Sequence, residues 1–131
     1  MDKKTAVLLQ GYLAKAKEKL RVAETLFRAS AYDDAVSRAY YAVFHAAQAI
    51  LLTEGLSATT HQGVVNLFGL HLVKTGKLDA RFGKSLANLK DDREDSDYEV
   101  FSAIDMATAE RAVKEAKEFV DAAQQYLGQY L

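Results

Sequence analysis

The chain has 131 residues and a formal net charge of −1 at pH 7, a length that fits a single domain covering 1–131. It contains no cysteine, which excludes disulfides, thiolate metal ligands and a cysteine nucleophile. Basic and acidic side chains nearly balance, at 17 against 18, whereas a protein that coats nucleic acid is visibly basic. Any contact with RNA is therefore expected to be local.

The first predicted helix covers residues 5–28. Apolar side chains recur there every three or four positions, which is typical of one face of an amphipathic helix; they are Leu9, Leu13, Ala16, Leu20, Ala23 and Phe27. A turn at 29–33 follows. Ser30 or the aspartates Asp33 and Asp34 are expected to cap the next helix, because short polar side chains accept hydrogen bonds from the first backbone N–H groups.

The second predicted helix, residues 34–54, is apolar nearly all round, which is typical of a helix in the centre of a bundle. Its window 35–52 contains only four polar side chains, Ser37, Arg38, His45 and Gln48. A membrane span is the alternative, but a buried Arg and His make it costly, so we predict no membrane segment. With no cysteine and no secretory signal at the N-terminus, a cytoplasmic location is expected.

The remaining predicted helices cover residues 61–75, 78–90 and about 105 to nearly 131. The acidic segment 91–98 is predicted to be a charged helix end and loop. Long helices with short connections imply antiparallel neighbours. The sequence therefore predicts an all-α fold, an up-and-down bundle of four to five helices.

A polar seam runs along the second helix, since Asp34, Arg38, Tyr41 and His45 are spaced four, three and four apart and share one face. One interpretation is the wall of a cleft, with a cation, a phenol and an imidazole directed into it. The other is internal satisfaction, in which Asp34 pairs with Arg38 while Tyr41 and His45 bond neighbouring helices. The usual behaviour of buried aromatic residues and histidines favours the second interpretation.

Two further positions are candidates for binding an anion. His61 lies at a helix start, where anions bind readily, although an exposed histidine in a capping turn is the plainer interpretation. Arg93 lies among the acids of 91–98, where it either complements the helix dipole or binds phosphate beside Tyr98. A calcium loop is excluded by Arg93 and by the missing glycine. No phosphate loop, zinc-protease motif or di-iron ligand set occurs, so no metal and no cofactor is predicted.

Several segments taken together resemble the HEPN superfamily, in particular its small stand-alone prokaryotic members. These segments are SRAYYAVFHAA at 37–47, THQGV at 60–64, Arg93 to Tyr98, and the final helix around Phe119. The resemblance covers nearly the whole chain. It implies a bundle that forms a homodimer, with a cleft near the second and third helices. It also implies a toxin–antitoxin pair with a minimal nucleotidyltransferase, which is encoded beside many such proteins.

The resemblance also implies a catalytic pair. Active members are metal-independent ribonucleases in which an Arg is followed four to six residues later by a His near a helix end. A guanidinium suits the scissile phosphate, and an imidazole moves the proton while the RNA 2′-hydroxyl attacks. By position the Arg is Arg93, and Tyr98 stands where the His is expected. A phenol with a pKa near 10 is a poor base at neutral pH but donates a hydrogen bond.

Three hypotheses follow. The first is a toxin-type protein, a ribonuclease through Arg93 and Tyr98, controlled by a nucleotidyltransferase. The second is a non-catalytic dimeric module that binds a nucleotide, or a partner protein, through a cleft lined by Arg38, Tyr41, His45 and His61. In the third, the polar seam serves only the dimer.

Overall fold

The computed structural model describes residues 1–98, 100–101 and 104–131. They form five α-helices: α1 (Lys3–Arg28), α2 (Tyr32–Leu52), α3 (His61–Phe68), α4 (Ala80–Tyr98) and α5 (Met106–Leu127). A π-helical turn, Gly69–Val73, continues α3, and a 3-10 turn, Gly128–Tyr130, follows α5. The described residues contain no β-strand, so the predicted all-α class is confirmed.

Helix α2 lies in the centre of the bundle and packs against α1, α3, α4 and α5. Its buried side chains include six alanines, at positions 35, 39, 42, 46, 47 and 49. Alanine has no atoms beyond Cβ, so the neighbouring helices approach α2 closely. The predicted central position of the apolar helix is confirmed. No helix in the described part of the chain is both long and apolar enough to cross a membrane.

The turn between α1 and α2 differs from the predicted one. Helix α2 begins at Tyr32, and no side chain caps it. Ser30 adopts a left-handed backbone with φ 62°, and the Ala31 N–H donates to the Leu26 carbonyl at 2.9 Å. That bond closes the end of α1. The predicted capping of α2 by Ser30 or by the following aspartates is therefore wrong.

Helix α3 begins as predicted, at His61, because the Thr60 hydroxyl accepts a hydrogen bond from the Gly63 N–H at 2.9 Å. A side chain at Gly63 would place its Cβ 2.8 Å from this hydroxyl, so the cap requires glycine there. The helical segment ends at Val73, two residues before the predicted end. Its last turn, Gly69–Val73, is π-helical, since the Lys74 N–H donates to the Gly69 carbonyl at 2.9 Å.

Helix α4 is longer than predicted at its C-terminal end. Residues 91–98 are helical rather than a helix end and loop, so that prediction is wrong. Ion pairs one turn apart explain the extension: Lys90 with Glu94 at 2.7 Å and Arg93 with Asp97 at 3.4 Å. The many acidic side chains of this segment therefore lie on a helix, and Lys90 and Arg93 of the same helix partly neutralise their charge.

Helix α5 begins where it was predicted. The Asp105 carboxylate accepts a hydrogen bond from the Thr108 N–H at 2.8 Å, which satisfies one of the free donors at the helix start. Arg111 then pairs with Asp92 of α4 at 2.6 Å. This contact joins the last helix to the charged half of α4.

Candidate functional site

The side chains with the most specific contacts meet where α2, α3 and α4 come together. Tyr40 and Tyr41 come from the middle of α2, His61 is the first residue of α3, and Arg93 lies on α4. We call these four residues the Arg93 cluster. The two phenol rings lie in an edge-to-face arrangement, with centroids 5.4 Å apart.

Arg93 is buried because of its position on the helix. The core residues of α4 are Phe82, Leu86 and Leu89, and the next position on the same stripe is 93. Arg93 is only 8% exposed, and a buried guanidinium needs partners.

The guanidinium of Arg93 has two partners. Its Nη1 donates to the Tyr41 hydroxyl at 3.0 Å and to the Asp97 carboxylate at 3.4 Å. Its central carbon lies 5.4 Å from the Tyr40 ring centroid and 5.6 Å from that of Tyr41, within the range of a cation–π contact. Its Nε is buried and has no partner among the described residues. The group is held on one edge and keeps unused donors.

Tyr40 and His61 form the second bonded pair of the cluster. The Tyr40 hydroxyl lies 2.6 Å from His61 Nδ1, and the His61 ring packs on Phe44 at a centroid distance of 4.5 Å. Burial raises the pKa of Tyr40. Burial lowers the pKa of His61, and the charges of Arg93 and Lys90 lower it further, while Glu94 opposes them. A neutral phenol and a neutral imidazole are therefore favoured.

The predicted seam on α2 divides into two parts. Asp34 and Arg38 are exposed, and Arg38 makes no hydrogen bond or ion pair with any part of the chain that the structure describes. Tyr41 and His45 are half-buried, with ring centroids 6.2 Å apart. Only Tyr41 reaches Arg93.

His45 lies on the α1 side of α2. Its Nδ1 is 3.2 Å from Gln48 Oε1, and its ring stacks on Tyr12 at 6.3 Å. Burial lowers the pKa of His45, and its hydrogen bond with Gln48 opposes this. Lys15 and Lys19 lower the pKa further. His45 is thus linked to the cluster through ring contacts alone, with Tyr41 directly and with Tyr40 and His61 by way of Phe44.

Tyr98 lies apart from Arg93. It is the last residue of α4, is 74% exposed, and has no hydrogen bond within the described residues. Five residues at 3.6 per turn rotate a side chain by about 140° around a helix, whereas Asp97, four residues on, faces the same side as Arg93. Within one chain the structure brings Arg93 to Tyr41 and Asp97, and not to Tyr98.

Sequence reasoning left Tyr40, Phe44 and Asp97 out of the site. One available signal was the stripe that places Arg93 among core positions, since a buried cation requires a partner. A second signal is Asp97, four residues after Arg93 on a segment whose many acids predict a loop. The pairing of Arg93 with Tyr41 spans 52 residues and depends on how α2 and α4 pack, which no local pattern encodes.

The fold and the site define the class of this protein: it is an all-α bundle with a buried arginine–tyrosine cluster. The model of the HEPN domain family matches residues 9–126. The chain is 38% identical to “Putative toxin MJ0605” of Methanocaldococcus jannaschii over 86% of this chain and 84% of that protein. It is 30% identical to “Putative toxin MJ0142” of the same organism, over 91% of this chain and 81% of that protein. A UPF0332 protein of Thermotoga maritima is 31% identical over 88% of this chain and 87% of its own length. The chain belongs to the HEPN domain family.

Proposed function

We propose that this protein is the toxin-type component of a pair with a minimal nucleotidyltransferase, and that it cleaves RNA without a metal ion. The observation that carries the proposal is the guanidinium of Arg93, which is fixed on one edge and keeps spare donors. Two relatives whose names include the word toxin, matched over most of their length, support the biological role.

In the proposed reaction Arg93 binds the scissile phosphate through charge-assisted hydrogen bonds. The RNA 2′-hydroxyl gives its proton to a water molecule, and its oxygen forms a bond to phosphorus. The bond from phosphorus to the 5′-oxygen breaks, and that oxygen takes up a proton from water. The products are a 2′,3′-cyclic phosphate and a 5′-hydroxyl. Tyr98 lies apart from Arg93 within one chain, so its assigned role, a hydrogen bond to the leaving oxygen, requires the Tyr98 of the second chain in the proposed homodimer.

Cleavage is tested with purified protein and end-labelled RNA in the presence of a chelator. We expect the wild type to produce cyclic phosphate ends. Arg93→Ala is expected to lower the cleavage rate at least about 100-fold, which is the scale of removing one transition-state donor. Tyr98→Phe is expected to lower the rate less. Arg81→Ala is the matched control, since Arg81 is an exposed arginine on the same helix. Cleavage that persists in Arg93→Ala would overturn the assignment, and no cleavage of any RNA by the wild type would overturn the enzymatic role.

The pairing is tested separately. Co-expression with the product of a neighbouring nucleotidyltransferase gene is expected to yield a complex that suppresses RNA cleavage and toxicity.

Sedimentation at micromolar concentration is expected to show a homodimer. The half-exposed aromatic rings of Tyr12, Tyr41 and Phe44 along one side of α1 and α2 support this expectation. A monomer over that concentration range would contradict the dimer.

A second function is favoured by Asp97, which lies 3.4 Å from Arg93 and partly neutralises it. In this alternative the protein is a non-catalytic module that binds a nucleotide, or a partner protein, through Arg38, Tyr41, His45 and His61. Calorimetry with nucleotides and with the partner tests it. Binding that is unchanged in Arg38→Ala and in Tyr41→Phe would exclude this surface.

A further inference from the structure

The hydrogen bond between Tyr40 and His61 determines which nitrogen of the imidazole carries the proton. Tyr40 is fully buried, and His61 Nδ1, at 2.6 Å, is the one hydrogen-bond partner of its hydroxyl within the described residues. A phenol has a single proton to donate. If the imidazole donated through Nδ1 instead, that phenolic proton would be buried without an acceptor.

Leaving a buried donor unsatisfied is strongly unfavourable. The favourable arrangement is therefore Tyr40 O–H donating to Nδ1, which leaves the proton of the neutral imidazole on Nε2. Because one ring nitrogen of a neutral histidine donates while the other accepts, His61 then has a hydrogen-bond donor on Nε2. No described residue accepts a hydrogen bond from that nitrogen.

Arg93 lies against the same two rings as His61. The His61 ring centroid is 5.5 Å from that of Tyr40 and 6.0 Å from that of Tyr41, and the guanidinium carbon is 5.4 Å and 5.6 Å from the same centroids. Only Nη1 of the guanidinium is bonded within the described residues, so Nη2 is a free donor. An imidazole N–H and a guanidinium N–H are thus held on one rigid aromatic platform.

We propose that His61 Nε2 and Arg93 bind one phosphate group together, and that Tyr40 is the positioning residue that keeps His61 in this donor form. The inference rests on the proposed function in one respect, because the phosphate belongs to RNA or to a nucleotide. It assigns His61 a different role from a general base: with its proton on Nε2, the resting imidazole stabilises charge on the phosphate and does not accept the proton of the 2′-hydroxyl.

The first experiment measures the tautomer by long-range ¹H–¹⁵N NMR of the histidine side chains at pH 7.5. We expect a protonated Nε2 and an acceptor-type Nδ1 for His61. Tyr40→Phe is expected to shift the tautomer toward a mixture, while Tyr41→Phe, which keeps the Tyr40 hydroxyl, is expected to leave it unchanged. A wild-type His61 that is protonated on Nδ1 would overturn the proposal without use of any variant.

The second experiment titrates inorganic phosphate, adenosine monophosphate and a short single-stranded RNA into the protein and follows the His61 resonances. His61→Ala is expected to weaken phosphate binding about fivefold to tenfold, and His61→Gln, whose amide N–H replaces Nε2–H, to restore part of it. Gln62→Ala, a neighbouring exposed position, is the control and is expected to have no effect.

The choice of ligands and variants distinguishes the possible kinds of binding site. Binding of the monophosphate but not of RNA identifies a nucleotide site, and binding of both identifies a general phosphate site; each supports the proposal. Phosphate affinity that is unchanged in His61→Ala overturns it. Intact phosphate binding with no RNA cleavage leaves the subsite standing and overturns only the ribonuclease function.

Discussion

Arg93 combines two roles that usually conflict, since it fills a core position on α4 and also carries the charge of the candidate site. Its aliphatic stem continues the stripe of Leu86 and Leu89, as long basic side chains do when they cover apolar surface. Its head group is satisfied mainly by Tyr41. A tyrosine suits this task because its ring packs in the core while its hydroxyl accepts from the cation.

Tyr41→Phe is expected to lower the free energy of unfolding by about 1–2 kcal/mol, because it removes a hydrogen bond to a buried charged group without altering the ring. Urea unfolding measures the change. Tyr98→Phe removes a hydroxyl that contacts nothing among the described residues, so it is the matched control and is expected to stay within about 0.5 kcal/mol of the wild type. Equal losses in both variants would contradict the bond to Arg93.

Arg93→Met separates stability from function. Removing one partner of a buried pair is destabilising, but Tyr41 is half-buried and Asp97 is exposed, so water can replace Arg93 as their partner. We therefore expect the free energy of unfolding to fall by only about 1–2 kcal/mol, as for Tyr41→Phe. Phosphate binding and RNA cleavage are expected to be lost. Measurement of the unfolding midpoint beside the two activities checks this, and a strongly destabilised Arg93→Met protein would show that the charge itself holds α4 to α2.

Among the elements, α3 depends most on a single side-chain hydrogen bond. Its α-helical part has only eight residues before the π-helical turn, and a helix this short is not stable by itself. Thr60 holds its first turn, and that turn positions His61 against Tyr40. The cap therefore supports the site as well as the helix.

Thr60→Ala is expected to cost about 1 kcal/mol of stability, the usual effect of losing such a cap, while Thr60→Ser is expected to retain most of it. Thermal unfolding and the NMR signals of His61 report the two consequences. Thr59→Ala, an exposed neighbour in the same loop, serves as control. A shift of the His61 signals in Thr59→Ala as large as in Thr60→Ala would mean that the cap is not what orients this ring.

Periodicity predicted the elements that depend on local spacing. The stripe of α1, the apolar surround of α2 and the start of α3 at Thr60 are all visible in the sequence. The C-terminal end of α4 was not visible in the sequence. The run of acids at 91–97 is typical of a solvated loop, and its pairing with Lys90, Arg93 and Arg111 becomes clear only from the structure. The site was predicted only in part for a related reason: His61 and Arg93 stood out as residue types, but the rings between them depend on packing.

The whole molecule is expected to become less stable in mild acid. Burial lowers the pKa of both His45 and His61 in the folded chain. In the unfolded chain each histidine has a pKa of about 6.5. The unfolded state therefore binds protons first as the pH falls. The stability that these two groups contribute is present above about pH 6.5 and is lost below it, toward the lower folded pKa values.

Urea midpoints between pH 7.5 and pH 5.5 measure this loss. The double variant His45→Gln, His61→Gln is expected to show a flatter profile over the same range. The charged groups that act on the two histidines are Lys15 and Lys19 at His45, and Lys90, Arg93 and Glu94 at His61. A wild-type midpoint that rises on acidification, or profiles that decline equally, would contradict the pKa directions.

The packing of α2 against four other helices also affects how fast its backbone amides exchange hydrogen with solvent. The amides in its buried middle, around Ala42 and Ala46, have no route to solvent through fraying of one neighbour, so we expect hydrogen exchange there to require the bundle to open as a unit. We expect α3 and the end of α4 to exchange through local opening. The candidate site lies where these two regimes meet: Tyr40 and Tyr41 belong to the slowest part of the molecule, and His61 and Arg93 to elements that can open without it.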